Sequence, residues 1–235
     1  KNAIETARLK RENEELRLRV GGNVQLVGSS STITQLRQSI NKVAPTNSRV
    51  LITGPAGSGK DAVGRLIHAE SNRSNGPFIS LNCATMQSED FEISLFGHEA
   101  SHKAGPREIG TFEQAHMGTL FLDEVADMPL ETQGKIVRAL QEQTFQRVGG
   151  ATRVDVNVRV IAASTKDLTE AMMEGKFRED LYYRLSVVPL EIPPLKDYRE
   201  DIPALVKHFV HQMTTSSGWN TLIFSEQAIA SLQSY

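Results

Sequence analysis

Short apolar runs separated by amphipathic stretches set the rhythm of the chain from Val24 onward. Val50-Leu51-Ile52-Thr53, Phe78-Ile79-Ser80-Leu81-Asn82, Thr119-Leu120-Phe121-Leu122, Val158 to Ala163 and Val187 to Ile192 each read as a strand. Helix signals lie between them, at about 32–43, from Asp61 to Glu70, and after Pro129, where Ile136, Val137 and Leu140 share one face. Apolar strands alternating with helices predict an α/β fold, a parallel sheet covered on both faces. Ligands of such sheets bind beyond the carboxyl ends of the strands. Here the loops at Gly54, Asn82, Asp123 and Ser164 should converge at that edge.

The pattern changes at both ends. After Pro193-Pro194 it turns helical, from Asp201 to Met213 and from Ser225 to Leu232, with Ser225 as a cap. That predicts a small helical subdomain that is unfinished at Tyr235, packed in part by Trp219 and Phe224. Residues 1–20 are charged and helix-prone, and Leu9, Asn13, Leu16 and Val20 fall on a coiled-coil seam. A solvated connector helix fits the same residues, and Gly21-Gly22 ends either one. The expected division is a linker helix at 1–22, an α/β nucleotide-binding subdomain at 23–194 and a partial helical lid at 195–235.

Composition narrows the function classes. A 39% hydrophobic and 23% charged chain of 235 residues can bury a core. A net charge of -2 leaves no global basic footprint for nucleic acid, so any DNA contact belongs to another segment. No apolar run reaches membrane-spanning length and no signal peptide is visible, so no membrane partner is expected. The single cysteine, Cys83, excludes an internal disulfide and reads as a buried thiol in a reducing, cytoplasmic compartment. Lys1 and Tyr235 read as the cut edges of a longer protein.

The chemistry concentrates in three places. Gly54-Pro55-Ala56-Gly57-Ser58-Gly59-Lys60-Asp61 joins the first strand to a helix, the arrangement that cradles nucleotide phosphates with backbone N–H groups and one lysine. Asp61 stands where Ser or Thr usually ligates Mg²⁺; a carboxylate can hold that ion as well. Asp123-Glu124 ends an apolar strand, so Asp123 can position Mg²⁺ and Glu124 can orient a water against a phosphoanhydride. Asn82 ends another strand, and its amide either bonds Glu124 or caps its own loop. Within Phe177-Arg178-Glu179-Asp180-Leu181-Tyr182-Tyr183-Arg184-Leu185, Arg178 and Arg184 form ion pairs with Glu179 or Asp180, or reach a neighbouring subunit's γ-phosphate. The residues alone leave these two readings level.

FISLNC at Phe78–Cys83, LFGHE at Leu95–Glu99, GTFEQA at Gly110–Ala115, GTLFLDE at Gly118–Glu124, RVGG at Arg147–Gly150 and FREDLYYRL at Phe177–Leu185 occur in this order. Over residues 24–235 the chain resembles the AAA+ ATPase domain of bacterial enhancer-binding proteins, which remodel sigma-54 RNA polymerase. The N-terminal helix and the Gly-Pro-Ala-Gly-Ser-Gly-Lys loop most resemble the NtrX branch of its response regulators, paired with NtrY sensor kinases. The resemblance implies an AAA+ P-loop three-layer αβα parallel sheet with a C-terminal helical lid and an N-terminal linker helix, binding ATP or ADP with Mg²⁺. Gly54–Asp61 would be Walker A. Walker B would lie within Ala115-His116-Met117-Gly118-Thr119-Leu120-Phe121-Leu122-Asp123-Glu124. Val27 and Gly28 would line the adenine pocket. Asn82 would act as switch asparagine, Thr165 as sensor I, and Arg178 and Arg184 as fingers acting in trans. Implied partners are further copies of the chain, as a dimer or a ring of six or seven subunits, and the RNA polymerase holoenzyme. A receiver domain before Lys1 would meet the sensor kinase, and a Fis-like helix-turn-helix after Tyr235 would meet DNA.

Three departures qualify that picture. The family's GAFTGA loop should lie between Glu99 and Gly110, yet the chain has Ala100-Ser101-His102-Lys103-Ala104-Gly105-Pro106-Arg107-Glu108-Ile109, without the central Phe-Thr. Thr165 replaces the usual sensor asparagine, and the sensor II arginine segment is not in the sequence. His98 is expected to stabilise the base of that loop through a hydrogen bond. Two functions stay in view: an ATPase domain of a transcription regulator, and a nucleotide-binding oligomerisation module that acts by occupying promoters without productive turnover. A small-molecule kinase has no acceptor motif to support it.

Overall fold

The computed structural model describes residues 25–85, 87–100, 106–217 and 222–235. The 1–22 helix with its Leu9–Val20 seam, His102, Lys103 and Trp219 lie outside the described residues. A 5-stranded parallel sheet organises the rest. Its strands are β1 (Val50–Thr53), β2 (Phe78–Asn82), β5 (Thr119–Asp123), β8 (Arg159–Ser164) and β9 (Val188–Glu191), in the spatial order β2-β5-β8-β1-β9. All five lie where the apolar runs predicted them. Pro189, which has no N–H to give a ladder, falls in the edge strand β9.

Alternation within each strand builds two cores. Val50, Ile52, Phe121, Ile161 and Ala163 face one side, under α1 (Ser31–Val43) and α2 (Lys60–Ala69). Leu51, Leu120, Leu122, Val160 and Ala162 face the other. That second side is covered by α3 (Ser88–Phe96), α4 (Thr111–Gln114), α5 (Leu130–Glu142), α6 (Leu168–Met173) and α7 (Glu179–Leu185). This is the expected three-layer arrangement.

Two antiparallel pairs, β3 (Gly97–His98) with β4 (Glu108–Ile109) and β6 (Thr144–Gln146) with β7 (Arg153–Asp155), stand off the second side and were not foreseen. The helical segment follows as a 3₁₀ turn at Leu195–Asp201, α8 (Ile202–Ser217) and α9 (Glu226–Ser234). Ser225 caps α9 by accepting the Ala228 N–H at 3.2 Å, as expected. Phe224 remains 43% exposed, so it packs the segment only in part. No helix among the described residues is long and apolar enough to cross a membrane.

Candidate active site

The register sets the site. Asn82 pairs with Asp123, and Thr53 with Ser164, so the strands end along one edge. The loop after β1 turns there into α2. Gly57 and Gly59 have φ of 75° and 89°, the left-handed region that favours glycine, and a Cβ at either would meet nothing within 4 Å among the described residues. The requirement is therefore conformational, and it leaves an open cradle at the start of α2, whose first N–H groups have no partner within the helix. Ser58 Oγ in the same loop is buried without a hydrogen-bond partner among the described residues.

Lys60, the first residue of α2, is only 7% exposed. Its Nζ donates to the Gly54 carbonyl at 3.1 Å, the Pro55 carbonyl at 3.2 Å and Thr165 Oγ1 at 2.7 Å, and lies 3.5 Å from Glu124 Oε1. Thr165, just beyond β8, donates its N–H to Glu124 Oε2 at 2.9 Å and its hydroxyl to Oε1. Glu124 has a φ of 51°, a left-handed backbone uncommon outside glycine and frequent at functional tips. Burial pushes the Glu124 carboxyl up, but the Thr165 hydrogen bonds and the Lys60 charge outweigh it and hold it below the usual range. Asp123 moves the other way, raised by its burial and then by the Glu124 charge. Two adjacent carboxylates so arranged favour a cation beside them.

No cluster of three or more His, Cys, Asp and Glu side chains able to hold a metal occurs among the described residues. Mg²⁺ takes one or two carboxylates and fills its octahedron with water and phosphate oxygens. Asp123 suits this role. Asp61 pairs instead with Arg65 Nε at 2.8 Å, one helical turn on, and would have to leave that partner to reach an ion.

Beside the loop opens a cleft of about 840 Å³. Val27, Leu26 and Ile33 line one wall, Pro55 to Gly59 the floor, and Ile192, Tyr198, Leu205 and Phe209 the wall toward the helical segment. Val27, one of the residues expected at an adenine pocket, lines this cleft. Gly28 does not line the cleft; it packs against Asp201, whose Oδ2 would lie 2.4 Å from a Cβ there. Tyr198 and Phe209 carry no sequence motif; Phe209 falls in the helical pattern after Asp201, whereas Tyr198 precedes it in the 3₁₀ turn.

Other expectations need correction. Ala115, Thr119, Leu120, Phe121 and Leu122 are fully buried, because the apolar pattern that makes β5 also seals it in the core. His116 Nδ1 accepts the Asn157 N–H, Thr119 Oγ1 meets His68, Gly118 packs on Pro77 and Met117 is exposed at the strand's start. Within the Ala115–Glu124 segment only Asp123 and Glu124 reach the site. Asn82 does not bond Glu124; its Oδ1 accepts the Ala84 N–H at 2.9 Å, the loop-capping arrangement. Arg178 pairs with Asp180 at 2.8 Å on the outer surface, and Arg184 neighbours Arg49. His98 is buried, yet neither ring nitrogen has a hydrogen-bond partner among the described residues; Glu108 lies 3.7 Å away. Cys83 is buried and its thiol pushed well up, first by burial and then by Asp123, so it is no nucleophile.

A family model for the sigma-54 interaction domain matches residues 26–191. The nitrogen assimilation regulatory protein NtrX of Azorhizobium caulinodans is 48% identical over 233 residues, 99% of this chain and 51% of its own length. The regulator NtrC of Rhizobium meliloti is 42% identical over 212 residues, 89% of this chain and 44% of its own. A crystal structure of Brucella abortus NtrX in complex with ADP superposes with a TM-score of 0.87 at 51% identity, covering 100% of this chain and 52% of that one. The chain spans about half the length of the relatives it matches.

Proposed function

The chain belongs to the sigma-54 interaction domain family, and from that premise we propose that it is the ATP-binding, ATP-hydrolysing and oligomerising domain of an NtrX-like response regulator that controls transcription. The observation that carries this reading is the convergence of Lys60, Asp123, Glu124 and Thr165 at the carboxyl ends of β1, β5 and β8 beside the cleft. Phosphate oxygens would take the Lys60 contacts now made by the Gly54 and Pro55 carbonyls. Asp123 would hold Mg²⁺, which supplies charge neutralisation at the outer phosphates. Glu124, once parted from Thr165, would orient the attacking water. Val27 with Tyr198 and Phe209 would enclose the base, and residues 195–235 would act as a lid.

Arg178, facing outward at the surface, suits a finger that completes a neighbour's site in a ring, and Arg184 is the other candidate. DNA, the polymerase holoenzyme and a sensor kinase are proposed partners of the whole protein. One observation favours a second reading. The 100–109 segment has no Phe-Thr pair, so the domain would assemble around nucleotide and act by promoter occupancy. The ATPase rate per subunit, measured against protein concentration in the whole protein, tests both readings. A rate that climbs with concentration and saturates is expected. Tight nucleotide binding with no phosphate release at any concentration supports promoter occupancy instead.

A further inference from the structure

Gln133 is fully buried in the first turns of α5, a cost that a polar side chain bears only when its bonds are satisfied. All of its groups are used. Its amide donates to the Met128 carbonyl at 2.9 Å and to the Lys176 carbonyl at 3.0 Å. Its Oε1 accepts the Arg178 N–H at 2.8 Å. Met128 closes the 3₁₀ turn Val125–Asp127 that leaves Glu124. Lys176 and Arg178 flank Phe177, which is buried in the core. One amide therefore joins two main-chain segments, the exit of the acidic tip and the entry to α7.

The geometry points to a positioning role: Gln133 holds the finger-bearing segment at a fixed place relative to the acidic tip of the same subunit. This rests on the reading of Arg178 as a finger in trans. The chemistry is specific to glutamine. Its amide offers one acceptor and two donors at the reach of two methylenes; Glu loses the donors and Met loses every bond. Phe177 anchors the segment by packing, but packing leaves rotation free, and the paired bonds on either side of it fix that rotation. Arg178 then leaves at the N-cap of α7 with its guanidinium over Gly134, where a Cβ would lie 3.9 Å from Nη1. A displacement of about 1 Å at such a group can cost roughly 10²-fold in rate. The tie also gives the tip a route to the finger, since any shift of Met128 pulls on the amide that holds Arg178.

The test uses the whole protein with Gln133→Met, which fills the volume without the bonds, beside Arg178→Ala. Hydrogen exchange at the Arg178 amide reads the tie without reference to turnover, and it should speed up by about tenfold or more in Gln133→Met. Turnover should fall roughly 10²-fold with ATP affinity kept within about twofold. Mixing Gln133→Met with Glu124→Gln subunits should restore turnover above that of either alone, because the second supplies a well-placed finger to the first's intact water-orienting site. A misfolded variant would not be rescued by mixing. Unchanged exchange, or wild-type turnover in Gln133→Met while Arg178→Ala is inactive, overturns the inference alone. Wild-type turnover in Arg178→Ala overturns the finger reading and the inference together.

Discussion

Lys60 and Arg147 are buried to nearly the same degree, at 7% and 6% exposure, and their surroundings are opposite in kind. Arg147 is saturated by charge. Its Nη2 and Nε meet Glu113 at 2.8 and 3.0 Å, and its Nη1 meets Glu99 at 2.6 Å. Burial lowers the pKa of its guanidinium, but the Glu113 and Glu99 bonds outweigh that and raise it. Among the described residues Lys60 meets one carboxylate, at 3.5 Å, and otherwise neutral oxygens. A phosphate oxygen forms a charge-assisted bond about twice as strong as a neutral one, so it can displace carbonyls; it cannot displace two carboxylates. Burial of a cation thus says little about role, whereas the exchangeability of its partners says much. Arg147 braces the base of the 100–109 segment between β3, α4 and β6, and Lys60 stands ready for an anion.

Substitutions can break this contrast, the largest effect first. Glu124→Gln should lower phosphate release by about 10³-fold while ATP binding is retained, as removal of a water-orienting carboxylate does. Single-turnover assay and calorimetry on the same sample check it. Full turnover would reduce Glu124 to a counter-charge for Lys60 and erase the distinction. Arg147→Ala strands two carboxylates and should cost about 3 kcal/mol of stability in urea unfolding, with ATP affinity unchanged within about twofold. Lys60→Ala should do the reverse, weakening ATP about 10²-fold by calorimetry, equivalent to about 2.7 kcal/mol, with stability within about 1 kcal/mol of wild type. Equal losses of stability in both variants would refute the assignment of roles.

The sheet was legible because strand interiors announce themselves: Val50–Thr53 and Thr119–Asp123 are apolar and end in turn-forming or acidic residues. The resemblance places Ala115–Leu122 in the site, yet the same apolarity seals Ala115, Leu120, Phe121 and Leu122 in the core and leaves only the acidic tip to reach the site. The β3–β4 and β6–β7 pairs are two and three residues long, too short for any period to register. The partner of Glu124 was hidden for a geometric reason. β5 lies between β2 and β8, so its tip can turn toward Asn82 or toward Thr165, and only the left-handed backbone at Glu124 decides for Thr165. Gln133 was invisible because its bonds go to backbone groups, which no side-chain pattern encodes.

Asp201 puts the contrast to its finest test, because it is a saturated charge at the edge of the cleft. It is 2% exposed and accepts the Ser29 N–H at 2.8 Å and the Ser30 N–H at 3.1 Å, with Gly28 against it. Ser30 in turn caps α1 by accepting the Ile33 N–H at 3.2 Å. Burial pushes the Asp201 carboxyl up, but the Ser30 and Ser29 bonds and then Arg37 prevail and hold it below the ordinary range. A depressed folded value contributes stability above the ordinary Asp value of about 3.9, and that contribution is lost as pH falls through the folded value. Asp201→Asn should therefore cost about 1 kcal/mol at pH 7, where an ionised acceptor is exchanged for a neutral one. The gap between variant and wild type should close as urea titrations move below about pH 3.9. Because Val27 lines the cleft from the same segment, ATP affinity should fall a few-fold without loss of maximal turnover. A gap that persists unchanged at low pH would mean that Asp201 contributes by shape, and that saturated charges at this edge act as packing.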